Sequence, residues 1–420
     1  MRILFLTDNF PPESNAPANR TYEHCLEWIN KGAEVTVITC VPNFPKGKVF
    51  AGYKNKLYQE EKMDGIRVIR VWSYMSGNAG VLRRTLDYVS FGIMAFLVSL
   101  FIKTDILIAT TPQFFTALFG CLAAFLKRKP WIMEVRDLWP ESIKAVDAIQ
   151  QNKVIDFLEK LELFLYRQAT RIVVVTDAFK ENISSRGISK AKIDVVKNGV
   201  ILKQYPVLPK SEDILKQYNL EKKFIVGYLG THGLAHKLDF ILECAKEVSD
   251  PDIHFVFVGN GAKKEELLRQ KKRLNLANVS LLPSVTKAET KNFISIFDVS
   301  LVNLRKSKTF KTVIPSKMFE NAAMGKPILL GLEGESKKII EDFEAGICFE
   351  PENKLDFARK LQFLKEDKAA FAFYRAGALK MAKAFDRQVF ARKLFTIIKK
   401  VVLDSTFASQ QKSEYDKKTL

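Results

Sequence analysis

Unbroken apolar strands separated by helical stretches run through the whole chain. RILFLT, EVTVITC, IRVIRVW, ILIATT, WIMEVRD and RIVVVTD follow one another, with helical segments such as TYEHCLEWINKG between them. A strand that is apolar along its length must be covered on both faces, and helices flanking a parallel sheet supply that cover. The pattern restarts near Phe224. FIVGYLG, HFVFVGNG, VSLLPSV, VSLVNL and KPILLG are the second set of strands, and LDFILECAKEVS, KKEELLRQKKRLN and SKMFENAAMG are helices between them. Two successive α/β units follow, joined by a polar stretch from Ile201 to Glu221. A chain of 420 residues is also longer than one hydrophobic core usually supports.

The formal net charge of +19 predicts an anionic partner: nucleic acid, phosphate-rich ligands or an anionic membrane. A general lysine bias is the competing reading. Lysine far outnumbers arginine, whereas base-reading and phosphate-clamping surfaces favour the planar arginine fork, so sequence-specific nucleic-acid binding is disfavoured. The five cysteines (Cys25, Cys40, Cys121, Cys244, Cys348) have no paired spacing and read as small buried residues in a reducing compartment, not a disulfide frame or metal site. The first apolar run, RILFLT, is too short for a signal peptide and fits a buried strand. Tyr88 to Ile102 is the longest apolar run, shorter than the roughly 20 residues of a confident span, and reads as a core helix or a helix lying in a bilayer interface.

Ligands of open parallel sheets bind at the carboxyl ends of strands, so the loops there carry the candidate chemistry. After RILFLT come Asp8, Asn9, Pro12 and Glu13, without a GxGxxG fingerprint; this polar, Pro-rich loop suits an acceptor pocket or is an ordinary connection. WIMEVRDLWPES delivers Glu134, Arg136 and Asp137 to a strand end, followed by Trp139 and Glu141. Asp137 is the candidate general base, or holds the acceptor hydroxyl, with Arg136 beside it; the alternative is a structural pairing of Arg136 with Asp137 or Glu141. In GYLGTHGLAHKLDF, Gly227, Gly230 and Gly233 let a phosphate approach backbone N–H groups, and His232, His236 and Lys237 add donors. A metal site at the two histidines lacks a third ligand of recognisable spacing. In TVIPSKMFENAAMGKPILLG, Ser316 is a candidate helix cap, and Lys317 and Glu320 share one helix face, where a carboxylate can accept ribose hydroxyls and an ammonium can neutralise phosphate.

Taken in order, VTVITCVPNFPKG, VRDLWPES, VVKNGV, GYLGTHG, FVFVGNG and PSKMFENAAMGKP resemble family-4 glycosyltransferases of the GT-B fold over residues 1 to about 400. VRDLWPES with PSKMFE most resembles the N-acetyl-L-fucosamine transferases of bacterial O-antigen and capsule assembly. The resemblance implies two Rossmann-like domains facing a central cleft: an acceptor-binding domain over 1–203, a donor-binding domain over 204–385, and a helix over 386–403 crossing back to the first domain; the polar composition of 404–420 predicts a disordered tail. It implies that Glu320 holds the donor ribose, that Gly230 and Gly233 lie over the donor diphosphate, that Asn198 and Gly199 form a hinge, and that Gly259 and Gly261 form the turn after a nucleotide-side strand. It further implies a UDP-sugar donor, no cofactor, no metal, and retention of anomeric configuration. Two positions depart from the family pattern. Thr312 stands where a second glutamate, eight residues before Glu320, is usual. Thr231 and His236 stand where an Arg and a Lys are usual, leaving Lys317, Lys237 and Arg305 as substitute cations. The missing glutamate is consistent with a deoxy sugar.

The acceptor so implied is a polyprenyl-diphosphate-linked glycan. Arg83, Arg84 and Lys103 flank Tyr88–Ile102, and Lys127, Arg128 and Lys129 follow the apolar stretch Phe114–Leu126. Between Arg375 and Lys400 there are eight Lys/Arg and one acid, Asp386. These predict peripheral, salt-sensitive attachment to the anionic inner face of the plasma membrane from the cytoplasm, with Phe114–Leu126 itself better read as core. A UDP-sugar epimerase of the same double-Rossmann architecture, a transferase using another donor such as UDP-GlcNAc, and a nucleic-acid-binding protein are the rival functions. The last lacks a stacking platform or reading helix, so no nucleic-acid partner is expected.

Overall fold

The computed structural model describes all residues except 14, 45–46, 76–79, 112, 142–152 and 419–420. Pro45, Lys46 and Ser142, which belong to the motifs above, therefore lie outside the described residues. The chain divides into two compact units, Met1–Lys197 with Arg387–Leu420, and Asn198–Asp386. The division after Lys197 falls six residues before the predicted boundary at 203/204.

In the first unit the strands are β1 (Arg2–Leu6), β2 (Glu34–Cys40), β3 (Tyr58–Met63), β4 (Ile66–Val71), β5 (Ile106–Thr110), β6 (Trp131–Val135), β7 (Arg171–Val174) and β8 (Ile193–Val195). They form one sheet in the order β3-β4-β2-β1-β5-β6-β7-β8, parallel except where β3 pairs antiparallel with β4. Strand side chains alternate between two cores. Ile3, Phe5, Val35, Val37, Ile106 and Ile108 face a layer containing Trp28 of α1 (Ala16–Asn30) and Leu394 and Ile398 of the C-terminal helix. Leu4, Leu6, Ile38, Leu107 and Ala109 face α2 (Gly80–Phe101) and α3 (Phe114–Lys127). Both faces are thus occupied, which is why these strands read as continuous apolar runs.

The C-terminal helix, Arg387–Lys418, continues through the stretch after Asp404 that the sequence predicts as a disordered tail. It is seated on α1. The Trp28 indole N–H donates to the Ala391 carbonyl at 3.0 Å, Arg387 pairs with Glu23, and Arg392 lies 3.3 Å from Glu27.

α2 buries Phe91 and Ala95 and leaves Leu86, Ile93, Leu97 and Phe101 exposed. By length and composition Arg83–Phe101 could cross a membrane. α3 buries Phe114, Ala117 and Ala123, yet Leu122, Phe125 and Leu126 are exposed. The core role predicted for Phe114–Leu126 therefore holds for one face of that helix only.

The second unit carries β9 (Phe224–Leu229), β10 (Ile253–Val258), β11 (Val279–Leu282), β12 (Val299–Asn303), β13 (Ile328–Gly331) and β14 (Gly346–Cys348). Its sheet has the order β11-β10-β9-β12-β13-β14, and every pair is parallel. Strand order reverses at β1 and β5 in the first unit and at β9 and β12 in the second. Chain crossovers leave those two positions to opposite sides, opening a crevice at the strands' carboxyl ends. The loop of Asp8 to Glu13 lies at the first reversal. The loop of Gly230 to Lys237, with Arg305, lies at the second.

Candidate active site

The loops after β9 and β10 are fitted together backbone to backbone. The His232 N–H donates to the Asn260 carbonyl at 2.9 Å, and the Lys263 N–H donates to the His232 carbonyl at 2.9 Å. Gly230 and Gly259 have φ of 148° and 151°. A Cβ added at Gly259 would lie 1.9 Å from the Gly230 carbonyl oxygen, so only glycine allows this approach.

Over this floor sits Lys317, first residue of the short helix Lys317–Ala323. Its Nζ is 3.7 Å from the centre of the Tyr228 ring and would be 2.7 Å from a Cβ at Gly230. Tyr228 is fully buried and donates its hydroxyl to the Thr231 carbonyl at 2.7 Å. The Lys317 side chain is partly exposed, but its Nζ is shielded from solvent and has no hydrogen-bond partner. Burial brings its ammonium down to about 7, with Glu320 acting in the opposite direction. The His232 and His236 rings each lie 5.9 Å from the Tyr228 ring. Both His232 nitrogens and the His236 Nδ1 are buried without hydrogen-bond partners. Burial, then Lys264 and Lys317, lowers His232 to about 3; burial, then Lys317 and His232, lowers His236 well below the usual imidazole value. Native interiors seldom leave buried polar atoms unpaired, and four gathered around one ring mark a place built for a ligand.

The other predicted donor residues surround this cluster unevenly. Gly233 lies beside the His236 ring, where a Cβ would make an ordinary contact with Nδ1 at 3.4 Å. Lys237 is drawn away by Asp239 at 2.9 Å, which raises its ammonium above the usual value. The Arg305 backbone N–H donates to the Ala235 carbonyl at 2.8 Å. The charged atom of Lys317 lies in the cluster itself. Ser316 precedes the helix but makes no side-chain capping bond, contrary to expectation. Two residues that sequence reasoning missed brace the loops. Asn303, at the end of β12, donates to the His236 carbonyl at 3.0 Å, and Lys264 donates to the Gly259 and Leu282 carbonyls at 3.2 and 2.6 Å. Neither sits in a motif. Among the described residues, no three His, Cys, Asp or Glu side chains gather as metal ligands.

In the first unit, Asp8 and Glu13 lie in the loop after β1. Burial, then Asp87 and Glu13, pushes the Asp8 carboxyl up to about 8, and its Oδ1 has no hydrogen-bond partner. Glu13 Oε1 accepts the N–H groups of Asn43 and Phe44, both at 2.8 Å, while burial raises its pKa against those bonds. Asn9 Oδ1 accepts from Asn15 at 2.6 Å, and Pro12 shapes the same loop. Asp87, on α2, belongs to this acidic group and was not singled out from sequence.

Arg136, expected to act in catalysis, makes several hydrogen bonds at the end of β6. Its guanidinium donates to Glu134 at 2.9 Å, to the Pro17 carbonyl at 2.9 Å and to the Thr21 hydroxyl at 2.8 Å. Its side chain pairs with Glu134. Glu134 is also held by Arg20 at 3.0 Å, and both arginines draw its pKa below the usual value against the opposing effect of burial. Asp137 is half-buried just past β6, where its carbonyl accepts from Thr111 at 3.5 Å. Trp139 stacks on Phe114 at 4.8 Å, and Glu141 accepts from Asn182 at 3.4 Å, so both help support the loop.

Residues 15–199 match the family described as Glycosyl transferase 4-like domain, and residues 210–383 match Glycosyl transferases group 1. The chain carries both halves of a group 1 glycosyltransferase. A protein of Pseudomonas aeruginosa named as a probable glycosyltransferase, WbjE, is 24% identical over 62% of this chain and 66% of its own length. A protein of Bacillus subtilis (strain 168) named as a candidate teichuronic acid biosynthesis glycosyltransferase, TuaH, is 24% identical over 47% of this chain and 49% of its own. The matched region thus spans about two thirds and about half of these curated relatives. Anabaena Alr3699/HepE, solved in complex with UDP-glucose, has a TM-score of 0.73 at 16% identity, covering 95% of this chain and 100% of its own. The fold of this group 1 glycosyltransferase is GT-B.

Proposed function

We propose that the chain moves a sugar from a UDP-sugar to a lipid-linked glycan acceptor at a membrane surface. The observation that carries the reading is the cluster of buried, unpartnered nitrogens of Lys317, His232 and His236 around a glycine floor at the strand-order reversal of the second unit. Oriented N–H groups and a buried cation suit the charge that grows on a diphosphate as it leaves. A fold relative solved in complex with UDP-glucose supports uracil as the base, and Glu320 is assigned to the ribose. Transfer breaks the bond between the sugar's anomeric carbon and the UDP oxygen and forms one to an acceptor hydroxyl, whose proton passes to Asp137. The reaction is metal-independent and retains anomeric configuration. N-acetyl-L-fucosamine is the proposed sugar: Thr312, in place of the second glutamate, spends its hydroxyl on the Thr309 carbonyl at 2.7 Å, so the usual carboxylate contact to a sugar hydroxyl is missing.

The acceptor loop holds Asp8, Asn9, Pro12 and Glu13. The exposed apolar residues of α2 and α3, flanked by the basic residues Arg83, Arg84, Lys103, Arg128 and Lys129, fit a helix pair pressed against an anionic bilayer from the cytoplasm. The deciding experiment is a donor screen with purified protein and extracted lipid-linked acceptors, following UDP release. Lipid-dependent release from a UDP-linked N-acetylated 6-deoxyhexose is expected. Release from UDP-GlcNAc or UDP-glucose alone would discard fucosamine, and conversion of the nucleotide sugar without an acceptor would point to an epimerase.

A further inference from the structure

The floor of the second unit gathers three side chains that can each gain a proton, Lys317, His232 and His236. The positions where the resembling family carries Arg and Lys hold Thr231 and His236. Thr231 contributes its carbonyl to the Tyr228 hydroxyl. What remains at the floor is Lys317 with the two imidazoles.

We propose that Lys317, His232 and His236 form a proton-accepting cradle, so that binding of the nucleoside diphosphate end of the donor draws a proton from solvent into the protein. The inference rests on the donor reading above and concerns how that site acquires its charge. The geometry comes first. Lys317 Nζ lies over the Tyr228 ring, both histidine rings flank that same ring, and the missing Cβ at Gly230 admits Lys317 Nζ, which would otherwise lie 2.7 Å from it. Lys317 Nζ, both His232 nitrogens and His236 Nδ1 spend no hydrogen bond on the protein. The titratable and charged groups around them come from several elements. Tyr228 comes from β9, Lys264 from the helix Lys264–Arg273, and Glu320 from Lys317's own helix. Lys237, at the end of the loop, is turned to Asp239.

Lys264 and Lys317 both disfavour a charge on His232, and Glu320 favours one on Lys317. The cradle by itself is therefore poor in charge at neutral pH, with both imidazoles neutral and Lys317 near its midpoint. A diphosphate supplies negative charge and acceptor oxygens at once, which favours the protonated ammonium. The same proton is given up when the nucleotide departs, so affinity for the product weakens as pH rises.

The test is calorimetry of UDP binding to the full chain at pH 8, repeated in buffers of different ionisation enthalpy. At that pH an ammonium with a midpoint near 7 is about nine-tenths deprotonated, so uptake approaching one proton per UDP is expected. Uridine, which lacks phosphates, should bind with no uptake. Lys317→Arg keeps a permanent charge and should bind UDP with little uptake. Lys317→Met should lose about tenfold or more in UDP affinity. UDP binding with no dependence on buffer, or equal uptake with uridine, would overturn the cradle while leaving the donor site standing. Failure of UDP to bind at all would overturn the donor reading and the cradle with it.

Discussion

Lys317 and Tyr228 are joined by a cation–π contact, with Nζ 3.7 Å from the ring centre, in place of a carboxylate partner. The ring face offers partial compensation to a shielded ammonium and leaves its hydrogen atoms uncommitted. The cost falls on the folded state. The folded midpoint, about 7, lies below the value of 10.5 of an unburied lysine. Between those values the unfolded chain binds a proton that the folded chain lacks, so stability rises with pH across that window and falls as pH drops toward 7. Lys317→Met should flatten this rise and lift the melting temperature of the nucleotide-free protein by a few degrees at pH 7, while reducing the thermal shift produced by a fixed concentration of UDP. Differential scanning fluorimetry from pH 7 to 10 reads both effects; a variant less stable than its parent without UDP would contradict the account.

Asp8 has the opposite sign. Its folded midpoint, about 8, lies above its reference value of 3.8, so the folded chain holds a proton that the unfolded chain releases in between. Stability is lost as pH rises through that window. Asp8→Asn keeps the shape without the titration. The parent should lose stability from pH 5 to 8 relative to this variant, and urea unfolding at a series of pH values measures the difference. Parallel curves would show that Asp8 is charged in the fold.

Glu134 compensates two buried guanidiniums, Arg20 and Arg136. Removing one member of such a group strands the others. Glu134→Gln should cost about 3–5 kcal/mol of stability, visible in chemical denaturation. A loss below about 1 kcal/mol would mean that solvent reaches the network.

On the proposed membrane face, changing Ile93, Leu97 and Phe101 together to Ser removes apolar surface that is already exposed. Melting temperature should hardly move. Flotation with anionic liposomes should fall about tenfold or more, and the parent's own binding should weaken from low to high salt. Unchanged flotation would detach this face from the membrane reading.

The parallel sheets were legible because doubly covered strands need unbroken apolar runs, as RILFLT and ILIATT have. β3 (YQEEKM) escaped notice because it is a polar antiparallel strand on the sheet edge, where no apolar run is required. The start of α1 at Ala16 was hidden by Pro17, which a first helical turn accepts without loss, with Asn15 capping it. The chain after Asp404 is polar enough to read as tail yet is helical to Lys418. At the site, glycines and charged residues near strand ends were readable as a set. Their allegiances were not, because partner choice depends on positions distant in sequence: Arg136 turns to Pro17 and Thr21, 119 and 115 residues away, besides its near neighbour Glu134.

The seat of the C-terminal helix on α1 bears on the order of events during synthesis. The first unit consists of residues 1–197 and 387–420, with the second unit inserted between them. On the ribosome the second unit emerges whole and can fold at once, while the first waits for its last helix. Until Ala391 and Arg387 arrive, the Trp28 indole and the Glu23 carboxylate have no lid, and a nascent chain in that interval shows a chaperone an open apolar flank. The unit that begins first finishes last.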